Sequence, residues 1–356
     1  MVEGAKAMKR LTLSLIPLVW LVLTGASQQD APATPMVQPV PVPDPAPAPA
    51  VPATVEEDDG GRIVGGTDAA WDTAKWQAEI YTTFHYTEAQ NIEDRALPPS
   101  RRSFLDQKEG WEKIHRCGGV YIGDNIVLTA AHCLVDNNHL STSRRVRLGT
   151  AVLGQDGAGA SFAIADPVIH KNFVNEEPYP NDIGLVRIIA DNPAALRMRL
   201  APMAIRLLGD KPGDRPTNSF DQLRVTGWGK TQARASGVRQ FALNTTDTVN
   251  HGSAILQQVT LKMNNDACAH EPRLSKRLTD KTICAKSPET GKDSCNGDSG
   301  GPMTRAQGNE RVLVGIVSWG IGCALPGLPS VYTDVSAYRE WIAQVKATLA
   351  VQRSAR

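Results

Sequence analysis

The chain of 356 residues carries almost no net charge, +1 from 38 basic and 37 acidic residues. That balance removes the electrostatic case for a nucleic-acid or membrane-surface partner. Basic pairs such as Arg101-Arg102 and Arg144-Arg145 read as solvated loop charges. It also lacks an apolar run near the roughly 20 residues that a bilayer-spanning helix needs. The best candidate, Leu11 to Leu23, is short and interrupted by Thr12, Ser14 and Pro17. There is no C-x-x-C pair, so nothing suggests a zinc site. No internal repeat is visible, and strong helical periodicity is missing until near the end. What the chain has in excess is Pro (24) and Gly (30).

The N-terminus reads as an export signal over residues 1–26. Lys6, Lys9 and Arg10 precede the short apolar run, and Thr24 and Ala26 suit cleavage near Ala26-Ser27. Met8 offers an alternative start; the competing reading is a buried helix. No Cys follows the run, so no lipid anchor is expected. Residues 28 to 55 are rich in Pro, Ala and Val and should form an extended, polyproline-like linker. An acidic cluster, Glu56, Glu57, Asp58 and Asp59, then leads to Gly60-Gly61-Arg62.

After Arg62 short β-rich runs alternate with Gly, Pro, Asn and Asp. Gly119 to Leu128, Arg144 to Leu148, Ile183 to Ile189, Leu223 to Thr226 and Val312 to Trp319 are examples. Regular short strands predict an all-β sandwich or barrel. A helix is predicted from Ala337 to about Ala350, capped by Ser336, with Tyr338, Trp341, Ile342 and Val345 on one face. Residues 351–356 form a short tail. The stretch from Thr82 to Arg116 is polar, charged and aperiodic, and reads as an inserted surface loop. Export permits disulfides, and six cysteines allow 15 pairings that sequence alone leaves open.

Three segments carry chemistry: Leu128-Thr129-Ala130-Ala131-His132-Cys133, Asn181-Asp182-Ile183-Gly184-Leu185, and Asp293-Ser294-Cys295-Asn296-Gly297-Asp298-Ser299-Gly300-Gly301-Pro302. Singly, each has a plain structural explanation: a His beside a Cys, an Asp opening a strand, a Ser in a glycine turn. Together, in the chain order His, Asp, Ser, they resemble the trypsin/chymotrypsin family, and that order separates it from subtilisins and from α/β-hydrolases. A serine hydroxyl is a weak nucleophile near neutral pH and needs an adjacent base, a role for which imidazole is suited. By resemblance His132 is the base, Asp182 orients it, and Ser299 attacks. The N–H groups of Gly297 and Ser299 form the oxyanion hole.

The resemblance runs from about Ile63 to Ala350, and includes Ile63-Val64-Gly65-Gly66, Thr226-Gly227-Trp228-Gly229 and Ser318-Trp319-Gly320. It implies two six-stranded antiparallel β-barrels with the active site between them and a C-terminal α-helix. It also implies three bridges, Cys117–Cys133, Cys268–Cys284 and Cys295–Cys323. A propeptide over residues 27–62 would be removed by an activating protease, or by the chain itself, after Arg62. The freed amine of Ile63 would then pair with Asp298 in a protease domain spanning residues 63–350. Asp293, six residues before Ser299, would form the base of the primary pocket and select Arg or Lys, with Ser294, Ser318, Trp319 and Gly320 around it.

Several features depart from the pattern. Ser330 stands where trypsin-type enzymes have Gly. It either modifies a basic preference or shortens the pocket for uncharged side chains. Gly149 to Gly159 has Asp156 but lacks the carboxylate pair of a calcium loop, so no metal and no cofactor are expected. Lys230 to Ser253 forms a long loop, and Asn244-Thr245-Thr246 is a sequon only in a eukaryotic secretory pathway. The expected product is a secreted, monomeric endopeptidase acting on proteins or peptides. The alternative is a non-catalytic binding protein on the same fold.

Overall fold

The computed structural model describes residues 63–354 apart from 99–101, 136–142, 156, 215, 219–220 and 233–250. The expected export signal, the linker, Arg62, Asp156 and the Asn244 sequon lie outside the described residues. Among the described residues no helix is long and apolar enough to cross a membrane.

A two-residue strand β1 (Thr67–Asp68) precedes the first barrel. That barrel comprises β2 (Gln77–Thr82), β3 (His115–Tyr121), β4 (Ile126–Thr129), β5 (Arg144–Leu148), β6 (Ala160–Ile169) and β7 (Gly184–Ile189). It closes in the order β2-β3-β4-β7-β6-β5. After β8 (Arg206–Leu207) the second barrel uses β9 (Gln222–Gly227), β10 (Gln257–Met263), β11 (Thr282–Lys286), β12 (Pro302–Gln307), β13 (Glu310–Gly320) and β14 (Ser330–Asp334). These run β10-β11-β14-β13-β12-β9, and the β9–β10 pairing closes the ring. All ladders within both rings are antiparallel. The expected pair of six-stranded barrels is therefore present, with β1 added to β10 and β8 to β13.

The residue pattern explains the closure. In β5 Val146 and Leu148 are buried while the three arginines are partly exposed. In β10 Val259 and Leu261 point inward between Gln258, Thr260 and Lys262. Period-two alternation of this kind buries one face of a strand. The run from Gly119 to Leu128, however, is not one strand. Gly123, Asp124 and Asn125 all take positive φ, at 90°, 56° and 61°, and the reversal separates β3 from β4.

Among the described residues five α-helices decorate the barrels: α1 (Glu88–Ala96), α2 (Gly110–Ile114), α3 (Pro193–Arg197), α4 (Asn265–His270) and α5 (Arg339–Ser354). The terminal helix begins as a 3₁₀ turn over Val335–Tyr338 and runs on to Ser354, past the predicted end. Its cap is Asp334 rather than Ser336: the Asp334 carboxylate accepts the Ser336 N–H at 2.8 Å and its hydroxyl at 2.7 Å. Tyr338 and Ile342 are buried against the first barrel's core, with Trp341 and Val345 beside them.

The insertion is not an aperiodic loop. Thr87 and Gln90 form a reciprocal cap on α1, which satisfies N–H groups that a helix start leaves unpaired. Asp94 is buried, and its carboxylate accepts the N–H groups of Ser103 (2.6 Å) and Leu105 (2.9 Å). Trp111, on α2, packs into a cluster with Leu153 of the β5–β6 connection and with Trp228 and Leu256 of the second half of the molecule. Polar caps and one aromatic anchor, rather than an apolar stripe, order this segment, so hydrophobic periodicity does not reveal it.

Candidate active site

Each barrel contributes half of the site. His132 lies in the 3₁₀ turn Ala131–Cys133 that follows β4, and Asp182 stands just before β7. Ser299 lies in the loop between β11 and β12. Asp182 is 2 % exposed. One of its carboxylate oxygens accepts the His132 backbone N–H at 2.9 Å; the other accepts from His132 Nδ1 at 2.8 Å and from the Ser318 hydroxyl at 2.5 Å. The Thr333 hydroxyl donates to the Asp182 carbonyl. Because the carboxylate accepts, Nδ1 carries the ring's proton and Nε2 is left as the acceptor. The Tyr179 ring lies 5.3 Å from the His132 ring, centroid to centroid.

The Ser299 loop is tied to the same wall. Its carbonyl accepts the Gly118 N–H at 2.8 Å and lies 3.7 Å from Cys133 Sγ. Gly301 N–H donates to the Asp298 carbonyl and Gly300 N–H to that of Val317. Close packing demands the glycines. A Cβ on Gly300 would come 2.1 Å from Thr129 Oγ1, and Gly297 has φ of 103°. Among the described residues the N–H groups of Gly297 and Ser299 have no hydrogen-bond acceptor. Adjacent unpaired donors of this kind suit an incoming oxyanion.

Ser294, Ser299, Ser318, Trp319, Gly320 and Ser330 line one cavity of about 50 Å³. Asp293 is not among its lining residues. The carboxylate sits behind Ser330, whose hydroxyl donates to it at 2.8 Å; the N–H groups of Ser294 (2.8 Å) and Ala324 (3.2 Å) complete its shell. Burial pushes the Asp293 carboxyl up to about 6, against these three donors. Ser294 bonds instead to the Tyr332 hydroxyl at 2.7 Å.

Cys117–Cys133, Cys268–Cys284 and Cys295–Cys323 are disulfide-bonded. Cys117, Cys133 and His132 bring three ligand-type atoms within 4.8 Å of one another. Two of them are disulfide sulfurs, not the thiolates a soft metal needs.

The chain matches the trypsin family model over residues 101–342. The chain belongs to the trypsin family. It is similar to Trypsin-1 of Astacus astacus, 32 % identical over 246 residues that cover 68 % of this chain and 93 % of the relative. It is also similar to the vitellin-degrading protease of Bombyx mori, 34 % identical over 64 % of this chain and 75 % of the relative. Trypsin 5G1 of Aedes aegypti is 30 % identical over 70 % and 82 %. As a member of this family, the chain is a serine endopeptidase.

Two of the expected site residues, Asp298 and Ile63, are buried near this loop. Asp298 is fully buried, and its oxygens accept the N–H groups of Gly229 (2.9 Å) and Cys295 (2.8 Å). Burial raises its carboxyl to about 6, and no Lys or Arg among the described residues pairs with it. Ile63 is also fully buried, in the second barrel's core. The next residue, Val64, accepts the Asp293 N–H at 3.1 Å.

Sequence reasoning missed one pair. His115 places Nε2 2.9 Å from the Gly297 carbonyl and Nδ1 3.1 Å from Glu79 Oε1. Glu79 is fully buried and also lies 3.4 Å from Arg147. Burial works against charging His115, but the Glu79 carboxylate prevails and raises its pKa. The signal was a Glu in the middle of the otherwise buried strand Gln77–Thr82, since an ionisable group there needs a partner.

Proposed function

We propose that the chain hydrolyses peptide bonds through a covalent acyl-enzyme on Ser299. His132 Nε2 takes the Ser299 proton as Oγ attacks the carbonyl carbon, and the developing oxyanion is met by the N–H groups of Gly297 and Ser299. His132 then gives that proton to the departing amine. Water repeats the sequence: it loses a proton to His132, attacks the acyl carbon, and Ser299 leaves with the proton returned. The observation that carries this reading is Asp182, buried and bonded to both the backbone and the ring of His132, with the Ser299 loop tied to the adjacent wall. Losing one oxyanion donor costs about 2.7–4 kcal/mol in such sites.

Asp293 supports cleavage after Arg or Lys, because a buried carboxylate is costly until a cation meets it. Two of the similar proteins carry the name trypsin, which agrees. Ser330 supports a second reading, in which small uncharged side chains fill the cavity and the hydroxyl stays on Asp293. Activation follows cleavage after Arg62, when the Ile63 amine supplies the cation that Asp298 lacks. The N-terminal signal, the disulfides and the family support secretion.

A fluorophosphonate probe tests the chemistry. Protein cleaved after Arg62 should be labelled, and Ser299→Ala should not. Equal labelling of the variant refutes Ser299 as nucleophile. A peptide panel varying only the residue before the cut tests specificity; rates for Ala or Phe above Arg overturn the basic preference.

A further inference from the structure

The cleft holds a second cavity, of about 210 Å³, lined by Gly297 and by residues of the insertion. It meets the cavity beside Ser299 at Asn296 and shares no other lining residue with it. A bound peptide with its scissile carbonyl at the Gly297 and Ser299 N–H groups sends the side chain before the cut towards Ser330. On the endopeptidase reading the chain after the cut is then left the side of Gly297 that faces the second cavity. An extended residue advances about 3.3 Å, so the second cavity is within reach of the first three residues of the leaving segment.

The cavity's charges come largely from the insertion. Arg116 donates to the carbonyls of Lys113 and His115, both at 2.9 Å, and to the Tyr86 hydroxyl at 3.4 Å. None of these is a carboxylate. Lys108 is half-buried, and burial pulls its ammonium below the usual lysine range. Glu112, which lines the cavity, and Asp94 act on Lys108 through their charge, and each is also held by other partners. Glu112 accepts the N–H groups of Glu109 and Gly252 and pairs with His251 Nδ1, each at 2.9 Å. Asp94 accepts Ser103 and Leu105, and the His115 ring is occupied by Glu79 and Gly297. Trp111 and Glu112 fasten this wall to the second half of the molecule, and Lys230 adds a third cation to the lining from outside the insertion.

We propose that this cavity binds a carboxylate side chain, Asp or Glu, within the first three residues after the cut, with Lys108 and Arg116 as its cationic partners. The inference rests on the endopeptidase reading and adds a preference on the leaving-group side. The chain's own Arg62 bond is followed by Ile63, Val64 and Gly65, which offer the cavity no carboxylate. Activation by a different protease is therefore favoured over self-cleavage.

The test uses the full chain cleaved after Arg62 and internally quenched peptides. These are identical before the cut and carry Asp, Glu, Asn, Ala or Lys at each of three positions after it. Each kcat/KM is divided by the same preparation's rate on an anilide, which has no residue after the cut. At one position Asp or Glu should exceed Asn and Ala by about tenfold, equivalent to about 1.4 kcal/mol, and the advantage should shrink in high salt. Lys108→Glu with Arg116→Glu should reverse the order in favour of Lys. If charge reversal prevents folding, Lys108→Gln with Arg116→Gln should abolish the preference. A wild type active on the anilide but indifferent to Asp, Asn and Lys refutes the carboxylate pocket alone, as does a preference that survives both double variants. A wild type inactive on the anilide refutes the endopeptidase reading itself.

Discussion

Replacing Ser330 by Gly should increase cleavage after Arg and Lys. The hydroxyl donates to Asp293 at 2.8 Å and stands between that carboxylate and the cavity beside Ser299. It also fills the space beside Gly320, its partner across the β13–β14 ladder, where a Cβ would lie 3.1 Å from Ser330 Oγ. A substrate cation that reaches Asp293 from that cavity must displace the hydroxyl or bond through it. A hydrogen bond to a charged group contributes about 1.5–3 kcal/mol, so freeing that site for substrate should raise kcat/KM for Arg by roughly ten- to a hundredfold. The assay is a matched pair of Arg and Ala peptides on wild type and Ser330→Gly, with a small amidine as competitive ligand. Amidine binding should weaken as pH falls through about 6, where Asp293 becomes protonated. An Arg rate unchanged or lowered in the variant, with Ala preferred by the wild type, would refute the reasoning and favour the shortened pocket.

Three further outcomes are expected. Arg62→Gln should stay latent, while cleavage of the wild type should raise its melting temperature. Asp298, raised to about 6 from 3.8, costs stability that builds as pH rises from about 3.8 to about 6 and is level above that, so the gain from a pairing amine should be larger at pH 7.5 than at pH 5. Equal melting and activity in cut and uncut protein would contradict this. Glu79→Gln should destabilise the protein most at low pH. The raised pKa of His115 contributes stability that is full below 6.5 and lost as pH rises through the folded value, so the urea-midpoint gap should narrow from pH 6 to 9; a constant or widening gap argues against a charged pair. Replacing both Cys268 and Cys284 by Ser opens a link with a sequence separation of 16 and should cost about 3 kcal/mol in denaturant unfolding, with the anilide rate per folded molecule changing little.

Much of the fold was legible because its signals are local. Alternation in Arg144–Leu148 and the helical face of Tyr338, Ile342 and Val345 report burial by their period alone. The insertion was illegible for the opposite reason. Its order comes from the Thr87–Gln90 cap, from Asp94 turned inward on two backbone N–H groups, and from Trp111 reaching a distant cluster. The boundary at Gly123 was missed because an apolar run on both sides masks a short reversal.

The sequence by itself determined the residue types and their order: His132, Asp182 and Ser299, glycines where a side chain would collide, and six cysteines in register with a known family. Chemistry of this kind requires particular side chains, and side chains are what a sequence states. Only the tertiary structure decided what each polar group faces. It set Ser330 on Asp293, Glu79 on His115, and Lys108 and Arg116 around a cavity next to Gly297. Those partners come from segments far apart in the chain, and the strength of a charge depends on what surrounds it after folding.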